Sequence, residues 1–242
     1  MEETSINDFV ENSANVAWHL GLECKHIPLQ FLRYTKDESI RRSEQFYKFM
    51  NKRRTVRNFS SEQIPIEIIH NLLKTAGTSP SGAHTEPWKF VLVKCDDLKN
   101  KIREIVEMEE EINYKKRMSK EWVEDIKFLR TYWIKEYITD APYLILVFKR
   151  LYSFDVNGQK KFHYYSEQSI NIAIGVLLVA IHNAGLVTLT STPLNCGPAI
   201  KSLLGRPPEE KLVVMLPVGY PNEGCLVPDI KRKPLQELVV EL

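Results

Sequence analysis

Thr78-Ser79-Pro80-Ser81-Gly82-Ala83-His84-Thr85-Glu86-Pro87-Trp88 is the stretch on which the reading of the fold turns. Small side chains expose backbone N–H groups and let a flat ligand approach the main chain, as a site for a planar ring or a phenolate requires. A plain connector needs less than Pro-Ser-Gly followed at once by Glu-Pro-Trp. On its N-terminal side Pro65 opens a helical pattern through Ile68, Ile69, Leu72 and Leu73, which Gly77 is expected to end at its C′ position. On its C-terminal side Trp88 to Val93 alternates as a strand, and Asp96 to Met108 reads as a helix. The loop therefore joins a helix to a strand.

Outward from there the elements keep alternating between α and β. Glu38 to Arg54 carries an imperfect helical stripe of Ile40, Phe46, Tyr47, Phe49 and Met50. Ala141 to Phe148 reads as a buried strand, and Leu186 to Ser191 and Leu212 to Val218 as two more, with a short helix at Asn195 to Leu204. His163 to Ala184 is a long helix with Ile170, Ile174, Leu177, Leu178 and Ile181 on one face and Gly175 permitting close approach. Glu109 to Tyr137 is densely charged yet interleaved with Ile112, Tyr114, Met118, Trp122, Leu129 and Trp133, which predicts an amphipathic helical excursion. Residues 1–37, with isolated aromatics such as Phe9 and Trp18, read as an arm whose own core would be too small, and residues 38–242 as the main domain. The tail after Gly219, broken by Pro221, Pro228 and Pro234, is expected to be extended and to reach across another surface.

Composition excludes several classes. With 242 residues, 43% of them hydrophobic, the chain can bury a substantial core. Thirty-three basic against 31 acidic residues leave a formal charge of +2, too small for the basic stripe of a nucleic-acid binder, so any anion site is local. Cys24, Cys95, Cys196 and Cys225 lie far apart with no metal-ligand spacing, which predicts reduced thiols and no metal site. The start holds Glu2, Glu3 and Asp8 and no apolar run, so a soluble, cytoplasmic chain is expected as given. Ser169 to Val187 is apolar but interrupted by Asn171, His182 and Asn183, which favours a core or interface helix over a membrane span.

Two further constellations carry chemistry. Lys52-Arg53-Arg54-Thr55-Val56-Arg57 could clamp a phosphate or an anionic ring bidentately, although a basic helix C-terminus is also favoured by the macrodipole alone. Thr188-Leu189-Thr190-Ser191-Thr192-Pro193-Leu194-Asn195 is a strand end rich in hydroxyls, where Thr192 or Asn195 could equally cap the next helix.

Arg53 to Arg57, Pro80 to Trp88, Thr190 to Asn195 and the basic Lys231-Arg232-Lys233 occur in an order that resembles the FMN-binding fold of the nitroreductases. Longer strings, Glu109 to Tyr114, Trp133 to Tyr137 and Leu194 to Pro198, resemble the iodotyrosine deiodinase branch of that family, over about residues 40 to 240. The resemblance implies an α+β (α/β sandwich) fold with a central mixed sheet flanked by helices. It further implies a homodimer with exchanged terminal extensions and FMN at the subunit interface. By similarity Arg53, Thr55 and Arg232 would hold the FMN phosphate, with Arg54 and Val56 in the same motif, and Arg57 would face the N1–O2 edge of the flavin. Pro80, Ser81 and Gly82 would approach the ring, as would Thr190 and Ser191, and Thr192 would be the catalytic hydroxyl near N5. The excursion around residues 109–137 would form a lid in which Glu110 takes the ammonium of an amino-acid substrate, Lys135 its carboxylate and Tyr114 a hydrogen bond. The Ala83 N–H would meet the phenolate. Trp88, Trp122 and Trp133 are expected to pack, and His84 to be structural.

The activity implied is reductive dehalogenation of 3-iodotyrosine and 3,5-diiodotyrosine, extending to bromo- and chlorotyrosine, by one-electron steps from reduced FMN. The competing expectations are a general NAD(P)H-dependent nitroreductase or quinone reductase and a non-catalytic halotyrosine- or flavin-binding protein. No Gly-x-Gly-x-x-Gly motif is present, so NADPH is expected to act as ultimate donor through a separate flavin reductase. Vertebrate members of the branch carry an N-terminal membrane anchor, so a membrane-anchored form is the expectation if such a segment precedes this chain.

Overall fold

The computed structural model describes residues 26–155, 157–192 and 194–242. Helix α1, Lys36–Asn51, starts where the Thr35 hydroxyl accepts a hydrogen bond from the Glu38 N–H at 3.2 Å, with Asp37 and Glu38 in the first turn complementing the helix dipole. Helix α2 is Ile66–Gly77, with Pro65 as its N-cap. Gly77 is the last helical residue and Thr78 the C-cap, so in place of the expected left-handed glycine cap the Ser79 hydroxyl donates to the Ala76 carbonyl at 2.8 Å. Strand β1, Trp88–Val93, coincides with the prediction, and helix α3, Asp96–Ile112, runs four residues further than predicted. Strand β2, Tyr143–Arg150, follows the short helices α4, Lys120–Asp125, and α5, Tyr137–Asp140. A hairpin of β3, Tyr152–Phe154, and β4, Lys160–Phe162, leads to the long helix α6, Ser166–Asn183. Strand β5, Val187–Thr188, helix α7, Gly197–Leu203, strand β6, Glu210–Gly219, and the one-turn helix α8, Leu235–Leu238, complete the order.

The sheet has the order β1-β2-β6-β5, with every named pair antiparallel. A single bridge between Thr55 and Thr188 adds a parallel component at the β5 edge. Side chains alternate across β2, so Tyr143, Ile145 and Val147 pack with α2 and α6 through Ile69, Leu72, Ile170, Leu177 and Ile181. Leu144, Leu146 and Phe148 pack on the other face with α3, α5 and α7 through Ile102, Val106, Ile138 and Ile200. Coverage on both faces explains why β2 reads as an unbroken apolar run although its neighbours are antiparallel, an arrangement that usually leaves one face polar.

The structure adds to or departs from the sequence pattern in three places. The segment from 109 to 137 is not one helix: α3 widens into a π turn at Asn113–Arg117, Ser119 caps the short α4, and Lys127–Leu129 is a 3-10 turn ended by Arg130 in the left-handed region at φ 51°. The segment therefore doubles back on α3. The strand at Leu186 to Ser191 shrinks to two paired residues, with Ser191 making a separate bridge to Met215. The β3–β4 hairpin lay outside every predicted element. Of the arm, Phe9, Trp18 and Cys24 lie outside the described residues, as does Pro193.

No residue of α1 is buried, and Ile40, Phe46 and Tyr47 are exposed on it. Ile27, Leu29, Phe31 and Leu32 before it and Leu226, Ile230, Leu235 and Leu238 in the tail are also exposed. Among the described residues no helix is long and apolar enough to cross a membrane, and no group of three His, Cys, Asp or Glu could hold a metal ion. Cys95, Cys196 and Cys225 are free thiols.

Candidate functional site

The doubling back of the 109–137 segment brings residues from its two ends together. Lys135 Nζ lies 3.3 Å from Glu110 Oε2 and 5.3 Å from the centroid of the Tyr114 ring, and both members of the ion pair are nearly buried. The returning segment is held against α3 by Glu107, whose carboxylate accepts from the Lys135 backbone N–H at 2.7 Å and from Arg103 at 2.7 Å. Lys135 Nζ also donates to the Tyr132 carbonyl. Burial lowers the Lys135 pKa from its ordinary value, with Glu110 opposing that shift. Burial likewise raises the Tyr114 phenol, which a hydrogen bond with Thr131 partly offsets. Trp133 meets Tyr114 edge-on at 6.2 Å, so it packs as expected, whereas Trp122 is 48% exposed.

The second group is basic. Arg53, Arg54, Thr55 and Arg57 line a cleft of about 290 Å³ together with Lys231 and Arg232 from the tail. Arg232 is fixed there by donating to the Asn51 and Arg53 carbonyls at 3.0 and 2.9 Å, and Arg54 donates to the Pro228 carbonyl. Burial lowers the Arg53 pKa first, and repulsion from Arg232 and Arg54 lowers it further. None of Arg53, Arg54, Arg57 and Arg232 makes an ion pair with a carboxylate among the described residues. Adjacent guanidinium groups without a counter-ion are a donor set suited to a phosphate monoester, and the residues present therefore fit the phosphate of FMN. Val56 is buried, and its N–H donates to the Thr188 carbonyl at 3.1 Å, which ties the cleft to the β5 edge. Arg57 links the two groups: half-buried, it is held down by desolvation and interacts electrostatically with Tyr114, Lys135 and Tyr137.

The hydroxyl-rich strand end lies beside both. Thr190 and Thr192 are exposed and Ser191 is buried. Ser191 Oγ shares a 2.9 Å hydrogen bond with the buried Tyr137 hydroxyl, and burial pushes the Tyr137 phenol up to about 12. Tyr137, Asn113 and Glu107 were not picked out from sequence. The signal for Asn113 was its position between Glu110 and Tyr114, three residues after the first, and for Tyr137 a polar residue at the start of an apolar run.

The loop from Thr78 to Trp88 lies apart from both groups. Ala83, His84 and Glu86 adopt positive φ, and the Gly82 N–H donates to Ser169 Oγ at 3.2 Å, at the start of α6. A Cβ on Gly82 would stand 2.7 Å from the Tyr164 carbonyl oxygen, so only glycine fits. Pro80 and Ala83 are exposed, and Ser81 Oγ accepts from the Glu86 N–H at 3.0 Å. The loop is held at the start of α6, which packs on one face of the sheet, whereas Glu110 lies on α3, which packs on the other with Lys135 beside it. The sheet therefore stands between residues 80–83 and the Glu110–Lys135 pair within one chain.

An arginine cleft at one sheet edge of an α/β/α sandwich suits a ligand carrying a phosphate, and the chain is similar in sequence and fold to FMN-dependent proteins. The nitroreductase family profile matches residues 50–220. Iodotyrosine deiodinase 1 of Homo sapiens is 55% identical over 98% of this chain and 80% of its own length. Iodotyrosine deiodinase of Hydra vulgaris is 59% identical over 89% of this chain and 79% of its own length. A crystal structure of oxidized iodotyrosine deiodinase bound to FMN and 3-iodo-L-tyrosine superposes with a TM-score of 0.67 at 34% identity, over 78% of this chain and 94% of that one. A BluB-like flavoprotein from Clostridium difficile shares the fold at a TM-score of 0.65 and 23% identity, over 81% of this chain and 98% of that one. The chain belongs to the nitroreductase family and, within it, to the iodotyrosine deiodinases.

Proposed function

We propose that this chain is an FMN-dependent deiodinase of 3-iodotyrosine and 3,5-diiodotyrosine, with bromo- and chlorotyrosine as further substrates. The observation that carries the reading is the Glu110–Lys135 pair at 3.3 Å beside Tyr114, next to an arginine cleft suited to a flavin phosphate. A free amino acid needs one anion and one cation at its α-carbon, and this nearly buried pair supplies both. Arg53, Arg54, Thr55 and Arg232 would hold the phosphate, and Arg57 would stabilise negative charge on the ring edge. Pro80, Ser81, Gly82, Thr190 and Ser191 would line the ring, with the Thr192 hydroxyl near its N5 atom, and Val56 would belong to the motif that holds the phosphate. Bound and reduced, FMN supplies the electrons that release halide from the ring carbon. Ala83 would donate its N–H to the substrate phenolate, a charge-assisted bond that favours the more acidic halogenated phenol over tyrosine.

The placement of the 80–83 loop and the Glu110–Lys135 pair on opposite faces of the sheet supports a homodimer, because a two-fold partner can deliver its 80–83 loop to the site that one chain leaves incomplete. The exposed apolar residues of α1 and of both terminal segments support the same reading. Electrons would come ultimately from NADPH through a flavin reductase. The test is iodide release from 3-iodo-L-tyrosine with dithionite as reductant, run beside bromo- and chlorotyrosine and with tyrosine as a binding control. Flavin reoxidation without halide release would leave a nitroreductase, and binding without turnover a storage protein.

A further inference from the structure

We infer that Asn113 is the positioning residue for the ammonium end of the substrate, locking the Glu110 carboxylate in register with the loop that follows Thr192. This deepens the proposed function and rests on its assignment of Glu110. Asn113 is fully buried and begins the π turn that ends α3, a local widening that often marks functional sites. Its Nδ2 donates to Glu110 Oε1 at 3.0 Å and reaches the Leu194 carbonyl at 3.5 Å. Its Oδ1 accepts from Arg117 Nη1 at 3.0 Å, and Arg117 is itself held by Glu109 at 2.8 Å. Arg117 can only donate and an ionised Glu110 can only accept, so the amide has one orientation that satisfies both.

The two oxygens of Glu110 are therefore held differently. Oε2 faces Lys135, the partner that a zwitterion must replace, since its ammonium needs the carboxylate and its carboxylate needs the lysine. Oε1 accepts from Asn113, which is fully buried and so lies behind the carboxylate rather than at an open face. Asn113 keeps Glu110 in place while its other oxygen changes partner, and its reach to Leu194 ties that position to the segment carrying Thr192. An aspartate at 113 would keep the bond from Arg117 and turn the donor into an acceptor facing Glu110.

The experiment compares FMN-loaded wild type, Asn113→Asp and Asn113→Ser, reading dissociation constants from quenching of flavin fluorescence. The two probes are 3-iodo-L-tyrosine and 3-(4-hydroxy-3-iodophenyl)propanoate, which lacks only the ammonium. Preference for the amino acid should shrink about ten- to a hundredfold in Asn113→Asp, the range for a hydrogen bond to a charged group. The shift should be in the same direction in Asn113→Ser and absent when Glu110→Gln is already present. If the preference changes by less than about twofold, the error of ordinary additivity, or if both probes weaken in parallel, Asn113 is structural only. Should Asn113→Asp not fold, the serine variant decides by the same ratio. A wild type with no preference for the amino acid overturns the reading of Glu110 along with this proposal, whereas an intact preference in the variants overturns the proposal alone.

Discussion

Replacing Glu110 with Gln leaves shape and the Asn113 contact nearly unchanged and removes only the charge facing Lys135. At 3.3 Å the gross attraction of the pair is about 5 kcal/mol for an effective dielectric constant near 20. Desolvation of both groups offsets part of this, and breaking such a pair by removing one partner costs about 3 to 5 kcal/mol because the other charge stays buried. Lys135 keeps the Tyr132 carbonyl and the face of Tyr114, so a loss of about 2 to 4 kcal/mol is expected, which for a chain of this length lowers Tm by about 5 to 15 °C. The pH dependence gives a second check. Burial already holds the Lys135 pKa below its ordinary 10.5, and losing Glu110 removes the larger part of what opposes that shift, leaving only Glu107. The folded variant then binds fewer protons than its unfolded chain up to that pH, so its stability rises with pH and the deficit against wild type narrows toward 10.5. The assay is thermal denaturation of the FMN-loaded, substrate-free protein at several pH values between 7 and about 10. A variant that melts with the wild type at pH 7, or a deficit that widens with pH, would refute the reasoning.

Tyr137→Phe leaves Ser191 Oγ without its buried partner and should lose about 1 to 3 kcal/mol in urea unfolding at neutral pH. The Tyr137 phenol is raised from 10.0 to about 12, so the folded state binds the extra proton, and wild-type stability should fall as pH rises through that window. The Phe variant lacks this contribution, so the two proteins should converge at high pH, and parallel curves would contradict the burial argument. Arg232→Ala should weaken FMN about ten- to a hundredfold in fluorescence titration while leaving riboflavin, which has no phosphate, almost unaffected. Gly82→Ala forces a Cβ to within 2.7 Å of the Tyr164 carbonyl oxygen, a backbone atom that cannot swing aside. About 1 to 3 kcal/mol of stability should be lost in thermal melts, with weaker halotyrosine binding as Ala83 is displaced.

Much of the fold was legible from local pattern. β1 was bounded to the residue, β2, β6, α2 and α6 were placed within a few residues, and the arginine motif was found, because each depends on periodicity or on neighbours in the chain. The β3–β4 hairpin was missed because its strands are three residues each, shorter than any periodic signal. The excursion is helical in pieces, but amphipathic spacing does not reveal a π turn followed by a reversal, so its path was not legible.

The loop from Thr78 to Trp88 shows where the division falls. Sequence determined that it would be a close-approach loop between α2 and β1, since glycine and small residues dictate backbone freedom locally. Only the tertiary structure decided that Glu110 and Lys135, twenty-five positions apart, form an ion pair, and that the 80–83 loop is held on the opposite face of the sheet from them. Which distant residues meet is set by how helices pack and where chains reverse, and those depend on the surfaces of the whole molecule rather than on any one segment.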